Sequence, residues 1–164
     1  TLAFSIWLVW WERQSVKGHE PVTKKENLLV ADIIKAIMTA CFAYIGYAVG
    51  GIILALQANA QAAASGSGGI DIGAAGADFN MQFMFVVAFI VNAIGVFWIA
   101  PKWRTNQIQL WALFLAFWLV DALVPWLYQT FVLGGSSIST AIMLGFFPAV
   151  IIAISIRQNY KRIM

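Results

Sequence analysis

The residue in this 164-residue chain best suited to chemistry is Asp121, in the stretch QIQLWALFLAFWLVDALVPWLYQTFVL, where it is the one acid. Pro125 follows four residues later. Proline has no N–H to return to the carbonyl four residues back, so a helix through this stretch leaves the Asp121 carbonyl free beside the Asp121 carboxyl. Two oxygen acceptors at one depth suit a proton or a cation, and a protonated carboxyl would equally suit a hydrogen bond to a neighbouring helix. No second acid at a similar depth offers itself as a relay partner. Asn92, in another apolar run, and Gln129 are amides able to reach across helices, which reads as structural glue at about 0.6 kcal/mol per bond.

The other candidates are weaker. Gly66-Ser67-Gly68-Gly69 has the glycines of a phosphate loop, but no Lys-Ser/Thr pair follows, so it reads as a loop. Asp71 and Asp78 lack the spacing and the closing Glu of an EF-hand. Asp32 and Lys35 share a helix face near a membrane boundary, where an interfacial pair is inexpensive. His19 sits in a charged segment and reads as solvated. One Cys excludes an internal disulfide and a Cys-based zinc or iron–sulfur site, and one His excludes a bis-His haem or multi-His copper centre from this chain alone. No nucleophile with its base, no carboxylate pair and no metal cage assembles.

The elements that position these residues are apolar runs at 1–11, 28–57, 81–100, 107–133 and 137–156. The last four reach the ~20 residues that cross ~30 Å of hydrocarbon as helix. The first would rise only ~16 Å, so it is half a span completed upstream or an interfacial segment. The fold class is therefore an all-α integral membrane protein, a polytopic helical bundle with four transmembrane helices plus a truncated fifth at the N-terminus, forming one domain over 1–164. Asp121 stands fourteen residues into the 107–133 run, ~21 Å deep.

Basic residues set the orientation. Segments 12–27, 101–106 and the tail carry Arg13, Lys17, Lys24, Lys25, Lys102, Arg104, Arg157, Lys161 and Arg162, whereas 58–80 and the turn near 133–137 carry none. This alternation is the positive-inside pattern and places the C-terminus in the cytoplasm. Trp10, Trp11, Trp98, Trp103 and Trp111 fall at the same face as an aromatic belt, and the deeper Trp7 and Trp118 need partners for their indole N–H groups. The loop 58–80 is external and rich in Gly and Ala; its Ala-rich start is expected to prolong the second helix until the chain breaks at 65–69. Ser136, Ser137, Ser139 and Thr140 read as the cap of the last span.

Small residues mark a close-packing face. Ala36, Ala40, Ala43, Gly46 and Gly50 recur at helical spacing, and Gly46 to Gly50 is a GxxxG, which admits another backbone from this chain or from a partner.

Composition agrees. Hydrophobic residues make up 62% and charged ones 10%, against about 45–50% and about 25% in soluble domains, so a soluble enzyme is excluded. A net charge of +3 without a basic patch gives no footprint for nucleic acid. No internal repeat signals an inverted-repeat transporter. These features point to a non-catalytic integral subunit of a larger membrane complex in the prokaryotic cytoplasmic membrane. It would supply scaffolding helices with lipid or cofactor contacts, in an energy-transducing or electron-transfer assembly. Its partners would be other membrane subunits and the bilayer. The alternative is a small oligomeric proton- or cation-coupled transporter or channel using Asp121.

Overall fold

The structure, a computed structural model, describes residues 2–16, 28–66, 79–132 and 138–160. His19, Lys17, Lys24, Lys25, residues 67–78 with Asp71 and Asp78, Ser136, Ser137, Lys161 and Arg162 lie outside them.

Five helices follow in order: α1 (Leu2–Val16), α2 (Leu28–Ala64), α3 (Phe79–Arg104), α4 (Leu110–Val132) and α5 (Ile138–Asn159). The last four are long and apolar enough to cross a membrane. The chain is thus a helical integral membrane protein. At ~1.5 Å per residue the 37 residues of α2 extend ~55 Å, far beyond the hydrocarbon. The last seven residues, ~10 Å of that length, are the Ala-rich start of the loop 58–80, which is helical to Ala64. There Gly66, at φ 70°, turns the chain, the Ser65 N–H donates to the Gln61 carbonyl at 3.0 Å, and the Ser65 hydroxyl donates to that of Ala62 at 3.1 Å.

The junction between α3 and α4 differs from the sequence reading in one respect. The third apolar run ends at Ala100, but α3 continues through Pro101 to Arg104 and is closed by a Schellman motif. Asn106 takes the left-handed position at φ 62°, its N–H donates to the Trp103 carbonyl at 3.0 Å, and the Gln107 N–H donates to that of Lys102 at 2.8 Å. The turn consumes residues 105–109, so α4 begins at Leu110 rather than at 107.

The largest interface joins α4 to α5; α2 packs on α5 and α3, and α1 lies along α4. Much of the core is alanine: Ala36, Ala40, Ala43, Ala88, Ala100, Ala149 and Ala153 are all buried. Small side chains let backbones approach, and close van der Waals contact is the favourable term where lipid tails are as apolar as leucine. α1 joins through the fully buried Leu8 and through Phe4, whose ring meets Phe114 at 4.9 Å and Phe146 at 6.0 Å. It is therefore packed into the bundle and does not lie apart on its surface.

Every Lys and Arg among the described residues falls at one end of the bundle, where α1, α3 and α5 finish and α2 and α4 start. Of the belt tryptophans, Trp98 (70% exposed), Trp10 and Trp111 face outward. Trp103 does not: it is 1% exposed and donates its indole N–H to Glu12 Oε1 at 3.2 Å. The reading of Trp103 as part of the belt is corrected, because a carboxylate from α1 draws it into the core. Trp118 satisfies its indole with the Ile142 carbonyl at 2.8 Å, and Trp7 stacks on Trp11 at 4.7 Å.

Candidate functional site

Three helices bring Asp121, Asn92 and Tyr47 together inside the bundle, each 1% exposed. Asp121 is on α4, Asn92 on α3 and Tyr47 on α2. The Tyr47 hydroxyl donates to Asp121 Oδ1 at 2.7 Å and stands 3.3 Å from the Asp121 backbone carbonyl. That carbonyl is the one Pro125 leaves without its helical donor, so a single phenol from α2 covers both acceptors that the sequence places at this level. The Asn92 amide stands within interaction range of both the Tyr47 hydroxyl and the Asp121 carboxyl. None of the Asn92 polar atoms, nor Asp121 Oδ2, meets hydrogen-bond geometry with a partner.

Glycines allow this convergence. A Cβ at Gly145 on α5 would lie 2.5 Å from the Ala122 nitrogen and 2.6 Å from the Asp121 carbonyl carbon, so the α5 backbone rests directly on the Asp121 turn. A Cβ at Gly46 would lie 2.7 Å from the Pro148 nitrogen, and one at Gly50 would lie 3.0 Å from the Phe147 ring. The face carrying Ala43, Gly46 and Gly50 therefore meets α5 of this chain, and the missing N–H of Pro148 sits where α2 comes closest.

A second polar cluster occupies the basic end. Arg104 makes a two-pronged ion pair with Asp32, at 2.5 and 3.3 Å, and both side chains are 9% exposed. Lys35, the expected neighbour of Asp32, instead places its ammonium 5.6 Å from the centre of the Tyr160 ring. Arg104 lies 5.2 Å from the same ring, and the Tyr160 hydroxyl donates to the Asp32 backbone carbonyl at 3.0 Å. Burial and the Asp32 carboxylate push the Tyr160 phenol above its ordinary value, with Arg104 opposing, so Tyr160 acts as a neutral donor.

Glu12 of α1 is 3% exposed and accepts the Leu110 N–H at 3.1 Å. A carboxylate on the first N–H groups of α4 does the work of an N-cap and complements the helix dipole, although it comes from another helix. Beside it, the Arg157 guanidinium lies 3.5 Å from the Trp11 ring centre and donates to the Trp11 carbonyl at 3.1 Å.

Asp121 and Asn92 are thus brought together, while Gly46, Gly50 and Ala43 form the seam that holds α2 against α5. Sequence reading missed Tyr47, Glu12 and Gly145. Tyr47 lies between the glycines of the GxxxG, where attention rests on its small neighbours. One signal was available: Asp32, Thr39 and Tyr47 follow one another at seven and eight residues, so they share a stripe of α2. Among the described residues no three His, Cys, Asp or Glu side chains gather as a metal site. No family model, curated protein or solved structure matches the chain.

Proposed function

We propose that this chain is a non-catalytic integral subunit of a larger membrane complex, contributing helices and lipid or partner contacts. One observation carries the reading: each of the four buried acidic or basic side chains among the described residues fastens one helix to another. Glu12 holds α1 to α3 and α4, Asp32 and Arg104 join α2 to α3, and Asp121 joins α4 to α2. Two surface grooves among the described residues are apolar in contrast. One, of about 230 Å³, is lined by residues such as Ile33, Ile37, Phe97 and Trp98, and the other, of about 290 Å³, by Met84, Val124, Leu127 and Tyr128. Between 28 and 44% of an 18-residue apolar stretch in each span is buried within the chain, and the other residues are at least partly open to lipid or neighbouring helices. Extraction in mild detergent followed by native mass measurement tests the proposal. Co-purification with other membrane chains is the expected result, and a homo-oligomer that conducts protons or cations in liposomes would overturn it.

The transporter reading keeps one observation in its favour, the unpartnered Asp121 Oδ2 deep in the bundle. Against it, the next buried polar side chain on α2 toward the basic end is Thr39, eight residues from Tyr47 or ~12 Å along the axis. That gap is too long for one hydrogen bond.

The C-terminus belongs on the cytoplasmic side of a prokaryotic cytoplasmic membrane, a placement supported by the gathering of Lys35, Lys102, Arg104 and Arg157 at one end. With the exposed Cys41 replaced by Ala, a cysteine at Ser65 should be labelled by an impermeant maleimide from outside intact cells. A cysteine at Thr105 should be labelled only after lysis; the opposite pattern would invert the topology.

A further inference from the structure

We propose that the groove between α2 and α3 at the basic end holds an anionic phospholipid, with an acyl chain in the groove and the phosphate on Lys102 and the Trp98 indole. The inference rests on the lipid contacts of the reading above and not on its partner chains.

Side-chain size shapes the groove. Ala36 of α2 and Ala93 of α3 line it with a single methyl group each, whereas Ile33, Ile37 and Ile94 are large and exposed. Its lining carries no charge and no hydroxyl, so the part of a ligand that enters is hydrocarbon. The groove ends at Trp98, which is 70% exposed and has no acceptor for its indole N–H among the described residues. Lys102 follows four residues later, on the same face of α3 and ~6 Å nearer the end of the bundle.

Charge decides what covers this surface. Of the three bases on α2 and α3, Arg104 is neutralised by Asp32 and Lys35 lies at the Tyr160 ring. Lys102 is exposed and forms no ion pair among the described residues. Asp32 is the only acid on either helix, so a positive charge without a counter-ion stands over an apolar groove. An apolar helix or a neutral lipid would fill the groove and leave that ammonium unmatched. A phospholipid with net negative charge matches both, because the lysine stem lies along apolar surface while its ammonium meets a phosphate, and an indole N–H at headgroup level is a second donor. Phosphatidylcholine offers the same phosphate but brings an ammonium of its own, which opposes Lys102.

Photolabelling of the purified full chain in phosphatidylcholine bilayers tests the assignment. Trace phosphatidylglycerol or phosphatidylcholine, each with a diazirine on the acyl chain near the ester, is activated, and the labelled peptides are mapped by mass spectrometry. Phosphatidylglycerol is expected to label residues 33–37 and 93–98 about fivefold more than phosphatidylcholine, the preference that one lysine near an anionic headgroup supports. Lys102→Gln should bring the two lipids level and Lys102→Arg should keep the preference; both changes are at an exposed position and leave the packed core untouched. Ala93→Leu, which fills the groove, should lower labelling there by both lipids. Excess inorganic phosphate should displace no more label than chloride of equal ionic strength. Equal labelling by the two lipids, a preference that survives Lys102→Gln, or label confined to other helices overturns the proposal. Displacement by phosphate beyond that by chloride also overturns it, since the site then takes a free anion and not a lipid. The measurement uses the chain alone, so failure to co-purify with other subunits would sink the subunit reading and leave this result standing.

Discussion

Replacing Gly145 with Ala, one added methyl group, is expected to destabilise the protein by ~1–3 kcal/mol, the usual range for over-packing a core. Elsewhere in a helix the same change is favourable, because Gly costs about 1 kcal/mol relative to Ala. The sign reverses at Gly145 because the new carbon would sit 2.5–2.8 Å from backbone atoms of Asp121 and Ala122, and backbone cannot rotate aside. The whole of α4 must move, and it carries Asp121 away from Tyr47. Gly46→Ala meets the Pro148 backbone at 2.7 and 2.8 Å and should rank with it. Gly50→Ala meets the Phe147 and Leu144 side chains at 3.0 and 3.2 Å, and Gly95→Ala meets the Phe117 ring at 3.0 Å, so both should cost less. Gly51→Ala meets nothing within 4 Å and should be neutral or stabilising. Thermal unfolding in lipid nanodiscs, followed by tryptophan fluorescence, orders the five variants. A Gly145→Ala protein as stable as Gly51→Ala would show that α4 and α5 are not in backbone contact.

The spans were legible in the sequence because their signal is a sum: about twenty apolar residues register whatever they pack against. The alternation of basic segments was legible for the same reason, and its described members do collect at one end of the bundle. The carbonyl freed by Pro125 could also be read, since it follows from local covalent geometry. What filled that carbonyl could not. Tyr47 is 74 residues from Asp121, and nothing in LVDALVP specifies which helix will supply a phenol. Glu12 was hidden in the same way, because an N-cap is sought in the residues just before a helix, whereas α4 takes its carboxylate from 98 residues upstream. The Asp32 and Lys35 spacing was correctly helical, but spacing on one helix does not decide between a neighbour three residues away and an arginine on another helix. Arg104 prevails because a planar guanidinium matches both carboxylate oxygens, which a point-charge ammonium cannot do.

That ion pair should also be the most asymmetric feature of the molecule. Arg104→Gln takes from the Asp32 carboxylate, in a residue 7% exposed, its two-pronged guanidinium partner, and loss of one partner from a buried pair costs ~3–5 kcal/mol. Asp32→Asn is expected to cost less. The freed guanidinium is at the bundle end, keeps the Tyr160 ring 5.2 Å away, and has a long stem on which to reach the headgroups, whereas an aspartate has one methylene and no such reach. The double variant Asp32→Asn with Arg104→Gln should fall well short of the sum of the single costs, because neither side then strands a charge. Tyr160→Phe keeps the ring but loses the hydroxyl bond to the Asp32 carbonyl, which is worth ~0.5–1.5 kcal/mol. Salt should change these differences little, since screening acts mainly on exposed charges. Denaturant unfolding of the variants in bilayer discs, at low and high ionic strength, supplies the cycle. Additive single-variant costs, or a coupling that disappears in high salt, would show that Asp32 and Arg104 meet water instead of each other.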